Sequence, residues 1–497
     1  MKINLFFIFF ILFTGIVNAQ LLTYSFVGLE DKTPERLFYS DSNRHTSVKP
    51  YLVSFKEWQK LDSTRTIVHH EKMTAFVKPV VNLNFNQNFK QLYQFGAEGY
   101  MVLGDKISVE LSLTNFILQP DSNLKKSYDS IGILEHYGSV NIHKSLWQRT
   151  HIAGNINWQA LPYLSFKSGI GSPFLGDGYR SLFLSDNTAP YPFFQGTAKA
   201  WKVEYLILYS FLNEPQWKNF NQPYERKNAT LHYLSWNINK RLNINAFETV
   251  IWQVHDSIGN RGFDVNYINP IIFFRPIEFS IGSPDNVIMG FGFKYRMFKN
   301  THFYAQLLLD EFKLAELKAK KGWWGNKFGI QAGIKTYRLF KNDHWFALLE
   351  CNTVRPFTYS HSDYLSNWGN MHQPMAHPLG ANFFESIFQT SYNLKKWTFA
   401  LQAIYQRQGQ SSAQLNAGNN IYLSYNINRQ DYGNYLLVGS YYKLEKVDGY
   451  IYYLLKKNWH LRAFVKFTVF NQTVNSVEQP QHFFIHLGLM QKAKSFF

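Results

Sequence analysis

The chain has 497 residues, 18% of them aromatic (45 Phe, 31 Tyr, 13 Trp) and only 17% charged, which excludes a disordered chain, since disorder goes with much charge and few aromatics. Fifty-one Lys and Arg against 34 Asp and Glu give a formal charge of +17. That suits anionic lipid, acidic polysaccharide or nucleic acid without choosing among them.

At the N-terminus Lys2 precedes an almost unbroken apolar run, Ile3 to Val17, and Val17-Asn18-Ala19 forms a small-residue exit. This reads as an export signal over residues 1–19, cut before Gln20. Beyond Ala19 no window approaches the roughly 18 uninterrupted apolar residues of a transmembrane helix. An exported, aromatic chain is then either a secreted β-protein or a membrane barrel. Residues 20–70 alternate weakly and carry more charge; they are expected in the periplasm, as a plug in a lumen, or as an early strand. Residues 71–497 hold the strands.

In Lys106 to Phe116, Ile107, Val109, Leu111 and Leu113 oppose Ser108, Glu110, Ser112 and Thr114. Trp397 to Gln406 repeats the pattern, with Trp397, Phe399, Leu401, Ala403 and Tyr405 on the apolar side. Leu461 to Phe470 does so again, with Arg462, Lys466 and Thr468 on the polar one. Alternate side chains of a strand face opposite ways, so each segment has one continuously apolar face. These runs reach roughly 10 residues, the length a tilted strand needs to cross a bilayer and longer than is usual in a sandwich. The opposite parity places Glu98, Glu110, Lys202, Glu204, Lys294, Arg296, Lys335, Arg462 and Lys466 inward. A packed sandwich core excludes so many charges, whereas a hydrated or salt-bridged barrel lumen accepts them.

Tight polar turns occur at Gly104-Asp105, Asn239-Lys240-Arg241, Lys299-Asn300, Lys341-Asn342-Asp343, Lys395-Lys396 and Lys456-Lys457-Asn458. Asn tolerates the left-handed conformation that such turns need, and a neighbouring Phe or Trp sits well at a membrane interface. Long segments separate them: Gly171 to Gly196, Gln253 to Asp285, Glu311 to Lys327, Arg355 to Phe383 and Arg407 to Asp431. Long loops belong on the cell exterior. Asp310 to Lys321 reads as a short helix, with Glu316 and Lys320 at pairing distance. The alternating stretch His482 to Leu489 closes the pattern just before Phe496-Phe497, with the tail Lys492 to Ser495 between. The fold class is therefore all-β: a transmembrane antiparallel β-barrel of 16–18 strands, about 18 as the best single number, with short periplasmic turns and long extracellular loops.

Chemistry is sparse. His69-His70-Glu71 looks metal-like, yet adjacent strand residues point to opposite faces, and His482 and His486 would lie roughly 13 Å apart on a strand. His361, His372 and His377 read as solvent-exposed loop histidines, without the spacing of a metal motif. No GxSxG elbow or Ser–His pair stands out, so an outer-membrane lipase ranks low. Gly176-Asp177-Gly178 is a loop turn, not a phosphate loop. Asp310-Glu311 reads as a solvated pair, and Cys351, the single cysteine, as an apolar filler facing lipid. No catalytic residue, cofactor or metal is expected. A binding surface remains: Trp323, Trp324, Asn326 and Lys327, with Tyr359, Tyr364, Trp368, Tyr422 and Tyr425, sets aromatics beside Asn, Ser, Gly and basic groups in outer loops. Flat rings with nearby hydrogen-bonding groups stack on sugars or grip partner proteins.

Five stretches carry a family resemblance: His45 to Tyr51 (HTSVKPY), Gly169 to Pro192 (GIGSPFLGDGYRSLFLSDNTAPYP), Tyr267 to Asn286 (YINPIIFFRPIEFSIGSPDN), Trp323 to Gly333 (WWGNKFGIQAG) and His377 to Glu385 (HPLGANFFE). Together they resemble the Bacteroidota outer-membrane gliding motility family RemB, itself similar to the capsule-assembly Wzi family. The resemblance implies a large barrel in the outer membrane, working with its lipid and with surface polysaccharide or gliding-machinery proteins, and not with nucleic acid. It transfers no catalytic residue. The expected function is thus non-enzymatic action at the cell surface in gliding motility, capsule or exopolysaccharide assembly and retention, or both. The alternative is a channel or transporter for an anionic solute, suggested by the inward Lys and Arg.

Overall fold

The computed structural model describes residues 21–491 apart from 25–27, 55–67, 71–72, 87–90, 105, 121–124, 126–131, 135, 144, 216–223, 257–258, 263 and 270–284. The export signal, Glu71 and the tail beyond Gln491 lie outside the described residues. Eighteen long strands follow one another in the chain. They are β1 (Met73–Asn86), β2 (Gln91–Leu103), β3 (Ile107–Leu118), β4 (Leu146–Leu161), β5 (Leu164–Gly171), β6 (Tyr191–Ala200), β7 (Val203–Glu214), β8 (Glu225–Asn237) and β9 (Leu242–Gln253). The second half adds β10 (Asn286–Phe298), β11 (Thr301–Glu311), β12 (Lys327–Thr336), β13 (Trp345–Val354), β14 (Phe383–Leu394), β15 (Trp397–Gln410), β16 (Ser440–Lys456), β17 (Leu461–Val474) and β18 (His482–Met490). Each pairs antiparallel with the next, and β18 returns to β1 through His486↔Asn86 and Leu489↔Leu83. The sheet is a closed barrel with no free edge, as the alternation requires.

Four even-to-odd connections are only two residues long, 162–163, 201–202, 299–300 and 395–396, and the longest at that end is 337–344. Trp201, Asn300 and Lys395 take positive φ of 53°, 64° and 55° there. The opposite end carries the long segments 119–145, 172–190, 254–285, 312–326, 355–382 and 411–439. Aromatics crowd the turn end: Trp201 is 82%, Phe340 81% and Phe298 70% exposed, the girdle position where rings straddle water and lipid.

The parity of the strands holds. Ile107, Leu111 and Leu113 are exposed while Ser108, Glu110 and Thr114 are buried, and Trp397, Phe399 and Leu401 are exposed while Thr398 and Gln402 are buried. The outer wall is thus the apolar band of a membrane barrel. Cys351 faces outward with Leu349.

The lumen is not simply polar, and this corrects the expectation from parity. Leu206, Leu208, Tyr233, Phe247, Ile288 and Leu308 also point inward, because the 172–190 segment folds into the barrel and packs Leu182, Phe183 and Leu184 against them. That segment was expected on the exterior. Its apolar triplet has a better place inside than in water.

Up to Ser54, the described part of the N-terminal region also occupies the lumen. Leu21–Tyr24 pairs with Tyr51–Ser54, Val48–Lys49 pairs with Phe174–Leu175 of the inward segment, and Val68–His70 extends the wall beside β1. Between them runs α1 (Thr33–Ser40), with Pro34 in its first turn and Phe38 and Tyr39 buried while Leu37 is exposed. A second helix, α2 (Leu314–Ala319), lies in an outer segment and is shorter than the expected span. Glu316 there pairs with Lys313 (3.6 Å), not Lys320, because Lys320 takes the left-handed C-cap conformation.

Candidate functional site

Two assemblies concentrate the polar chemistry: the inward plug and the cap of outer segments above it. In the plug, Asp177 receives hydrogen bonds from Tyr39 (2.8 Å) and Thr46 (2.5 Å), with the Lys294 ammonium 3.9 Å away. Lys335 donates to the Asp177 carbonyl (2.5 Å), lies 3.8 Å from Glu35 and sits over the Tyr39 ring at 3.7 Å. Burial alone would raise both carboxyl groups. Lys294 and Lys335 around Asp177, and Lys32, Lys335 and Lys49 around Glu35, more than reverse it and hold each at about 2.

Glu350 on β13 grips the inward segment: its carboxylate accepts from Tyr179 N (2.8 Å), Arg180 N (3.0 Å) and Tyr304 Oη (2.6 Å). A Cβ on Gly178 would stand 2.5 Å from the Glu350 carboxylate, so only glycine permits this approach. Farther along, Glu385 binds His377 Nε2 (2.6 Å), Arg180 (3.4 Å) and Gln406 (2.9 Å). His377 is fully buried, which corrects its reading as a solvent-exposed loop histidine, and burial lowers its pKa. Leu379 N donates to His377 Nδ1 (3.2 Å), so Nε2 carries the proton given to Glu385. His372 is partly buried, its ring little exposed and 3.7 Å from Glu214.

The nine residues expected inside divide eight to one. Glu98 stands in register with Lys78 on β1, and Glu110 is buried. Glu204 pairs with Lys199 (2.8 Å), and Lys294 and Lys335 hold the plug as above. Arg296 donates to Ser40 O at the end of α1 (3.5 Å), Arg462 lies 3.7 Å from Asp31, and Lys466 lies 3.4 Å from Asp448. Lys202 is the correction: it lies in the two-residue turn 201–202, exposed, donating to Ile238 O (3.3 Å). Its parity is inward, but the strand has already ended there.

The cap joins 312–326, 355–382 and 411–439. Arg355 donates to Asn326 O (2.8 Å) and Asn434 O (3.0 Å), Trp324 N to Asp431 O (3.1 Å) and Asn382 Nδ2 to Gly409, Ala417 and Val438 carbonyls. Several expected surface contacts are instead the struts of this cap. Lys327 is fully buried, 3.0 Å from Glu311 and 3.8 Å from Asp310, so Asp310 is no solvated carboxylate. Asn326 is buried and accepts from Lys313 N (2.8 Å). Trp368 is buried and donates to Phe183 O (2.8 Å), while Tyr359 donates to Leu182 O (2.8 Å), so both hold the plug to the cap. Tyr364 is half-buried and hydrogen-bonded to Glu225.

Trp323 and Trp324 stay half-open, their rings 5.9 Å apart. The Arg429 guanidinium lies 3.8 Å from the Trp324 ring, and Tyr425 packs beside it at 4.7 Å. Arg429 gave no signal in the sequence, because one arginine in a polar loop looks like any other. Among the described residues no three His, Cys, Asp or Glu side chains gather as a metal site, and no helix is long and apolar enough to cross a membrane.

No protein-family model matches the chain, and no curated protein matches it in sequence. Among solved structures it is similar to Wzi, an outer membrane protein involved in group 1 capsule assembly in Escherichia coli and a carbohydrate-binding β-barrel. The TM-score is 0.58 at 12% identity, over 95% of this chain and 99% of that one. The fold is that of an outer-membrane β-barrel. OprD of Pseudomonas aeruginosa (TM-score 0.44, 8% identity, 86% of this chain and 96% of that one) and OccAB2 of Acinetobacter baumannii (0.43, 13%, 84% and 96%) are more distant. Four of the five stretches that carry the resemblance meet here: 45–51 and 169–192 form the plug, and 323–333 and 377–385 bind it to wall and cap. Most of the fifth, 267–286, lies outside the described residues.

Proposed function

We propose that this protein is a non-enzymatic barrel of the outer membrane that acts at the cell surface by holding polysaccharide, in capsule or exopolysaccharide retention, in gliding motility, or in both. The observation that carries the reading is the half-open Trp323, Trp324, Tyr425 and Arg429 cluster on a braced cap above an occupied lumen. Ring faces suit the C–H faces of sugars, and the guanidinium suits their carboxylates or sulfates. The structural likeness to a carbohydrate-binding barrel supports it, and so does the resemblance of the stretches above to the RemB family of Bacteroidota. The inward lysines favour an anion channel less than their number suggests, since Lys294, Lys335 and Lys466 all have carboxylate partners.

The test is deletion of the gene, complemented with wild type or with Trp324→Ala and Tyr425→Ala together, scored for surface polysaccharide, spreading and secretion. Retention or spreading should fall on deletion and stay low with the double variant. Unchanged capsule and spreading on deletion would remove the proposal. In planar bilayers the wild type should pass no steady current, whereas steady anion current would favour the channel.

A further inference from the structure

A cavity of about 170 Å³ opens at the turn end of the barrel, between the N-terminal segment and β5–β7. It is roughly ten times the 10–15 Å³ that one water requires. Arg44, His45, Lys167, Gln195, Lys199 and Glu204 line it. The charges around it are unevenly satisfied. Glu204 is paired with Lys199 at 2.8 Å, Arg44 reaches Asp41 at 3.2 Å, and His45 Nδ1 lies 2.8 Å from Ser235 Oγ. Lys167 is different. It is only 5% exposed, and its ammonium has no hydrogen-bond or ion-pair partner among the described residues; the Phe193 ring lies 5.5 Å away, and Glu110 acts on it only electrostatically.

A buried ammonium offers three donors and costs free energy until they are used. Thr197, in the same lining, takes a hydrogen bond from Gln195 (3.0 Å) and keeps its own hydroxyl proton to donate. Lys167 and Thr197 thus turn donors toward one space, and the Glu204 carboxylate that also lines it is taken up by Lys199. The Lys199 side chain is half exposed, so the space is reached from the turn side.

We infer that this cavity is a binding site for a compact oxyanion, a phosphate or carboxylate group, entering from the periplasmic end. Lys167 supplies the charge, Thr197 a hydroxyl donor and Arg44 a second cation at the entrance. The site lies at the opposite end of the barrel from the cap and does not depend on what the cap binds.

Purified full-length protein in detergent is titrated calorimetrically with inorganic phosphate in one arm and galacturonate in the other. Binding in either arm supports the site, and the tighter arm names the group. Lys167→Met should weaken that binding by about tenfold or more, with Thr197→Val as a second, milder variant and unchanged heat-dependent gel mobility as the check on folding. Absence of binding in both arms up to about 10 mM, or equal affinity in folded Lys167→Met, would overturn the inference.

Discussion

Several of the buried charges in this protein are held in close ion pairs. Lys227 and Glu214 are both fully buried and 3.0 Å apart, and the Lys227 ammonium also donates to Asn367 Oδ1 (2.6 Å). Such a pair adds little net stability over a well-packed apolar pair, but removing one member strands the other. Lys227→Met should therefore cost about 3–5 kcal/mol, and Lys227→Met with Glu214→Met should recover most of it, read as unfolding midpoints in detergent. Asp177 and Glu35 give a pH dependence of definite sign. Their folded values, about 2, lie below the ordinary 3.8 and 4.5, so their contribution is complete above the ordinary values and lost as pH falls through 2. Stability should be flat from pH 8 to about 5 and decline between about 4 and 2, and Asp177→Asn should remove part of that slope. A slope centred near pH 6 would mean that other groups hold the plug.

At the scale of elements, α1 and the 172–190 segment form one inward unit, joined to the wall by residues from strands far away in sequence. Tyr39 is its pivot, touching His302, Tyr337, the Lys335 ammonium and Asp177. Tyr39→Ala removes a large buried ring and one hydrogen bond, a loss of about 3–5 kcal/mol of docking. Hydrogen exchange should then quicken in α1 and in 172–190 together while the barrel amides stay protected, because the barrel ladder is closed without them. Exchange confined to α1 would show that the two segments dock independently.

For the whole molecule, the decisive statement is which surface meets hydrocarbon. Cys351 tests it, because it lies on β13 among outward side chains. In intact membranes it should stay unlabelled by a charged, impermeant maleimide, which cannot enter hydrocarbon and needs a thiolate that hydrocarbon disfavours, and it should become labelled once the protein is unfolded in urea. Fast reaction with the impermeant reagent would place that face in water and contradict the barrel's orientation.

Most of the wall was legible in the sequence. Alternation of side chains is a local property with a period of two, so Ile107 to Leu113 and Trp397 to Tyr405 declared their outward faces before any partner was known. Strand length, turn chemistry and an even count then left a closed barrel as the solution. The contents of the barrel were not legible. Asp177 meets Tyr39 across 138 positions and Trp368 meets Phe183 across 185, and no periodicity links such residues. Hence a glycine-rich outer loop proved to be a plug, exposed-looking His377 and Lys327 proved to be buried, and Lys202 fell just beyond the strand whose parity it shares. The sequence by itself determined which way each strand residue faces, because that follows from backbone geometry. Only the tertiary structure decided what fills the lumen and what remains open on the cap, because that depends on which distant groups can satisfy one another's charges and hydrogen bonds.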